Sequence, residues 1–76
     1  MPKRNRTSNH IRRLRFLAGE MTQQELAEKT GVSRHTIMAV EAGKYSPSLE
    51  LAFGIAHAFG VSIGEVFEFD AGEREA

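Results

Sequence analysis

The stretch TQQELAEKTGVSRHTIMAVE, residues 22–41, decides how this chain is read. Thr22 offers its hydroxyl to the unpaired N–H groups of a helix, and Glu25, three positions on, completes a T-x-x-E capping box. Leu26 and Ala27 face inward. Gly31 ends the helix where the backbone calls for a positive φ. Ser33 caps the next helix, about Ser33–Ala42, whose buried side is Ile37 and Val40. Two short helices meeting steeply through a tight turn require this pattern. A small residue, Ala27, sits at the crossing and a glycine at the turn, with Leu26, Val32, Ile37 and Val40 beneath both helices. Adjacent amphipathic helices with a glycine between them are common in all-α proteins. The joint pattern of caps, small residue, glycine and four apolar positions is much rarer, and it predicts a helix-turn-helix whose second member lies in a DNA major groove. Thr30 departs from it, because an apolar side chain is commoner just before the glycine.

Upstream, Met1 to Ser8 is polar and basic, with Lys3, Arg4 and Arg6, and reads as a mobile arm or a short edge segment. Asn9 is placed to cap a first helix running to about Ala18, with Ile11, Leu14 and Leu17 or Ala18 at helical spacing. Downstream, Tyr45-Ser46-Pro47-Ser48 is a turn, and Ser48 caps a fourth helix. Leu49, Leu51, Ala52, Ile55, Ala56 and Phe59 form its broad apolar stripe, and Gly60 stops it. Ser62 caps a short fifth helix with Ile63 and Val66. The run Val66 to Asp70 also alternates in polarity, so this segment ends either as helix or as a short strand. Residues 71–76 read as a frayed tail. The expectation is therefore one all-α domain over residues 9–70, with a possible C-terminal β-strand.

Seventy-six residues allow one domain, with much of its surface exposed unless it pairs. With no cysteine there is neither a disulfide framework nor a thiolate metal site, and a cytoplasmic setting fits. No apolar run is long enough for a signal peptide or a membrane span. The net charge of zero is unevenly spread: residues 1–48 carry +5 and residues 49–76 carry −5. Such asymmetry accompanies a polyanion-binding half opposed to a partner-facing or solvent-facing half; two ordinary solvated faces would give it as well.

From Thr22 through G-K-Y-S-P-S-L, residues 43–49, the sequence resembles the phage-repressor/Cro-type helix-turn-helix regulators. It is most similar to their small stand-alone branch of cytolysin-repressor-like dimers. The resemblance covers about residues 9–70 and implies a five-helix, lambda-repressor-like DNA-binding domain. It also implies a homodimer built partly from a C-terminal segment, sometimes paired with the N-terminal arm. In the family's pattern Arg15 pairs with Glu41. The link Gly19-Glu20-Met21 is one residue longer than usual in the family.

With Ile37 and Val40 turned inward, Arg34, His35, Met38 and Thr36 are left for the groove. Arg34 can give two parallel hydrogen bonds to guanine O6 and N7; His35 can meet a base edge or a phosphate; Met38 can touch a thymine methyl or simply shield the core. Ser33 lies at the helix start among the candidate contacts. Gln23 opens the second helix, where unpaired N–H groups favour a phosphate, and the matching glutamine has that role in the family. Gln24 follows it. Lys44, Tyr45 and Ser46 come just after the reading helix, placed to hold the backbone beyond it, contacts that position without reading sequence. Val61, Ile63, Val66, Phe67 and Phe69 concentrate apolar area in the acidic half. They read either as a dimer interface or as side chains folded back onto the first helix of a monomer.

Catalysis is not expected. His10, His35 and His57 are far apart, and there is no H-E-x-x-H and no glycine-rich phosphate loop, so no metal, cofactor or small-molecule substrate is implied. The partner expected is a double-stranded DNA operator bound by a repressor. The competing function is a protein-interaction module, such as an antitoxin that neutralises a toxin. Antitoxins usually carry a longer tail than Ala71–Ala76 to wrap their target, which favours the DNA-binding reading.

Overall fold

The structure, a computed structural model, describes residues 6–69. In chain order they form β1 (Thr7–Asn9), α1 (Ile11–Leu17), α2 (Gln23–Thr30), α3 (Arg34–Glu41), α4 (Leu49–Phe59), α5 (Ile63–Val66) and β2 (Phe67–Phe69). The architecture is the five-helix one, closed by a two-stranded antiparallel sheet in which Thr7 faces Phe69, Ser8 faces Glu68 and Asn9 faces Phe67. The described part of the basic arm thus ends as an edge strand. Lys3, Arg4 and the tail 71–76 lie outside the described residues.

Local chemistry sets the helix ends. Thr22 Oγ1 accepts from Glu25 N at 3.0 Å and Glu25 Oε1 accepts from Thr22 N at 2.8 Å, so the capping box is complete. Ser33 and Ser48 cap α3 and α4 through their hydroxyls. Gly31 and Gly60 close α2 and α4 in the left-handed region, at φ 77° and 72°. The long link after α1 passes through two such residues in succession, Gly19 and then Glu20 at φ 60°. Met21 then folds back, its N–H reaching Arg15 O at 2.9 Å. The link thus reverses tightly before α2 begins.

One core joins all five helices. Ile11, Leu26, Ala27, Ile37, Val40, Leu51, Ile55, Ala56 and Val66 are buried, with Leu14, Met21, Val32 and Phe59 packed against them. Thr30 fits despite its polarity: its hydroxyl donates back to Leu26 O at 2.9 Å, which satisfies it within its own helix.

Several expectations are corrected. Leu49 is 70% exposed, because the first turn of α4 projects past the core that Leu51 and Ile55 fill. Leu17 and Ala18 are both exposed, so the buried side of α1 stops at Leu14. Asn9 belongs to β1, and His10 occupies the cap position of α1; the Asn9 side chain nevertheless accepts from Ile11 N at 3.0 Å. Ser62 makes no side-chain cap, since Glu65 N already donates to the Ser62 backbone carbonyl at 3.0 Å in a four-residue helix. Val66 is fully buried within its own chain, so it has no surface to offer a second copy.

Candidate nucleic-acid interface

The site begins with the division of α3 into two sides. Ile37 is 0% and Val40 2% exposed, anchoring the helix. Arg34 and His35 project from its first turn into solvent, and Met38, one turn on, is 38% exposed. Arg34 and His35 are left open by the rest of the described chain, while Met38 lies partly covered in a groove beside α1. Ser33 and Thr36 are joined hydroxyl to hydroxyl at 3.0 Å, so both belong to the cap as well as to the surface at the start of α3.

The first turn of α2 lies beside that surface. Gln23 is half-buried, its amide nitrogen donating to Glu41 Oε1 at 3.4 Å, a weak bond that leaves the second N–H of the amide available. Gln24 is exposed and donates to Glu28 within its own helix at 3.1 Å. Lys44, Tyr45 and Ser46 are all exposed beyond the C-terminal end of α3.

A largely buried ion pair holds this frame. Arg15 Nε donates to Glu41 Oε1 at 3.1 Å and Nη2 to Oε2 at 2.9 Å, the parallel fork that suits a guanidinium and a carboxylate. Arg15 Nη1 also donates to Met21 O at 2.9 Å. One side chain of α1 thus fixes the end of α3 and the link into α2. Sequence reasoning missed a second tie. The Asn9 side-chain amide donates to Val40 O at 3.1 Å and to Glu41 O at 3.3 Å, satisfying carbonyls that the end of α3 leaves free. Nothing local in the sequence signals it, because the partners are about thirty residues apart.

The apolar residues of the acidic half divide. Val61, Ile63 and Phe67 are half-buried against the core, whereas Phe69 is 66% exposed on β2. His10 Nε2 lies 2.8 Å from Glu68 Oε2, linking the entry of α1 to β2. Among the described residues no group of His, Asp and Glu is arranged to hold a metal ion, and no helix is long and apolar enough to cross a membrane.

This geometry agrees with comparison to known proteins. A family model described as helix-turn-helix matches residues 11–66, which run from the start of α1 to the end of α5. The chain belongs to the helix-turn-helix family. It is 57% identical over 53 residues to an uncharacterised HTH-type transcriptional regulator of Methanocaldococcus jannaschii, covering 70% of this chain and 80% of that one. It is 39% identical over 59 residues to the transcriptional repressor RstR of the cryptic phage CTXphi from Vibrio cholerae. That match covers 78% of this chain and 52% of RstR. A solved structure of a hypothetical transcription factor, NHTF from Neisseria, superposes with a TM-score of 0.66 at 31% identity, over 72% of this chain and 62% of that one. This helix-turn-helix chain therefore spans about three fifths of the solved chain and about half of the phage repressor. Its family is one of DNA-binding transcription regulators, a non-enzymatic role.

Proposed function

We propose that this helix-turn-helix protein is a sequence-specific repressor that binds double-stranded DNA as a homodimer, laying α3 in the major groove. The observation that carries the reading is the uncovered side of α3. Arg34 and His35 stand in solvent with Met38 partly exposed behind them, while Ile37 and Val40 hold the helix to the core. Arg34 is at the leading end, where a guanidinium can fork onto guanine O6 and N7, worth about 1–3 kcal/mol of discrimination. Gln23 and Gln24 at the start of α2 take backbone phosphate on one side, and Lys44, Tyr45 and Ser46 take it on the other, fixing register without reading bases.

Dimerisation is supported by the apolar area left at the acidic end. Phe69 is 66% exposed on β2, and Val61, Ile63 and Phe67 are only half-buried, so each keeps apolar surface that a second copy can cover. A two-fold pair sets two reading helices about one DNA turn, 34–36 Å, apart. Repression follows the phage relative, itself a transcriptional repressor, and the simplest action of a small DNA-binding dimer, which is to occlude a promoter.

Selection of bound duplexes from a random pool tests the whole reading. Recovery of a short inverted repeat with half-sites one turn apart is expected, with affinity falling steeply in salt. Failure to enrich any duplex overturns the proposal. Sedimentation at monomer mass at tens of micromolar overturns its dimer.

A further inference from the structure

We propose that α1 supplies a further DNA contact, with Arg12 as a phosphate-binding residue next to Gln23. This rests on the major-groove reading of α3 and extends it to a helix whose role has so far been only to brace. Arg12 lines two open grooves between α1 and the helix-turn-helix. It shares the first with Arg34, Gln23 and Gln24, and the second with Gln23, Met38 and Ala42. Those neighbours run from the leading end of α3 to its close. Arg12 therefore stands on the side of the molecule that carries the uncovered surface of α3, nearest the start of α2.

Its side chain is exposed and makes no hydrogen bond or ion pair among the described residues. Arg15, one turn along α1, spends its guanidinium on Glu41 and Met21. That pairing also satisfies Glu41, the acidic side chain that lines both grooves. In the first groove Arg12, Arg15 and Arg34 face Glu20 and Glu41, so the net charge is positive where a DNA strand would pass. A free guanidinium beside such a strand gives two N–H donors to one phosphate. Phe16, one turn after Arg12 and 65% exposed, walls both grooves and leaves the guanidinium no polar partner on its own helix. A phosphate contact adds affinity for every sequence alike and steepens the dependence on salt.

The experiment measures binding of a labelled mixed-sequence duplex in rising KCl by wild-type protein, Arg12→Ala and Lys29→Ala, each with a thermal melt to verify folding. Lys29 is an exposed α2 cation in a different groove, beside Ala18 and Gly19, and controls for net charge. Arg12→Ala is expected to melt as wild type does. Its log–log salt slope should be shallower by about 0.9 for each protomer on the duplex, while Lys29→Ala keeps the wild-type slope. Wild-type binding with an unchanged slope for Arg12→Ala overturns the Arg12 contact and leaves the major-groove reading standing. An equal loss in Lys29→Ala assigns the effect to overall charge and overturns the contact too. No duplex binding by the wild type overturns the major-groove reading, and the Arg12 contact with it.

Discussion

Thr30 and Gly54 meet where α2 crosses α4. The Thr30 hydroxyl is turned back onto Leu26 O and Ala27 O, at 2.9 and 3.3 Å, so its methyl is the part presented to α4. A Cβ built on Gly54 would lie 3.9 Å from Thr30 Cγ2, an ordinary van der Waals separation, and would meet nothing nearer. The contact explains how a polar residue sits at the end of α2 without wetting the core. It also shows that Gly54 is not there because the helices need the space.

Gly54→Ala is therefore expected to stabilise the protein. Gly54 lies inside α4, where glycine costs about 0.5–1 kcal/mol relative to alanine through the freedom it loses on folding. The added methyl fills space against Thr30 without a clash. For a chain of this size the change corresponds to a rise in Tm of roughly 2–8 °C. An unchanged or lower Tm would mean that α2 and α4 approach more closely than the structure places them.

Gly31 behaves oppositely. Nothing lies within 4 Å of a Cβ at this position, yet its φ is 77°. The cost of Gly31→Ala is therefore backbone strain alone, about 1–2 kcal/mol, and urea unfolding should report it as a lower midpoint with an unchanged m-value. Asn tolerates the left-handed region better, so Gly31→Asn should recover part of the loss. Equal losses in the two variants would point to a contact the structure does not contain.

The capping box is expected to matter through a single atom. Thr22→Ala removes the oxygen that accepts from Glu25 N and should cost about 1 kcal/mol, whereas Thr22→Ser keeps it and should stay close to wild type. Thermal melts of the two variants suffice. If serine fails to rescue, the Thr22 methyl rather than its hydroxyl is what counts.

How much of this was legible in the sequence depends on the range of each interaction. The caps of α2, α3 and α4 and the glycine stops are settled within three or four residues, so Thr22, Ser33, Ser48, Gly31 and Gly60 could be read directly. Leu49 misled because six apolar positions in α4 cover more of the helix than one core can bury, and periodicity alone does not say which edge of the stripe is left out. The Asn9 bonds to the end of α3 and the packing of Val66 depend on residues distant in sequence. Arg12 carries no motif and becomes conspicuous only once α1 is seen beside Gln23 and Met38. Its neighbour Arg15 was reached through family resemblance, since the residues between it and Glu41 give no local sign of the pair.

That pair yields the last expectation. The Arg15 and Glu41 side chains keep only 17% and 13% of their exposure, so neither is well hydrated once the other is removed. Breaking a buried pair from one side costs about 3–5 kcal/mol; the remaining exposure here puts Arg15→Met and Glu41→Gln toward the lower end of that range. The double variant should be less destabilised than the sum of the two, with a coupling of about 0.5–3 kcal/mol, because no charge is then left alone. Arg15→Lys separates charge from geometry. A lysine keeps the charge but cannot span both Glu41 oxygens and Met21 O together, so it should recover only part of the loss. Because Gln23 also leans on Glu41, stable survivors of the series should bind DNA more weakly as the side chain at position 41 loses the fork that holds it against the α2 amide. Additive single and double variants in denaturant titrations would show that the two charges act independently, and that α1 does not brace the end of α3 through them.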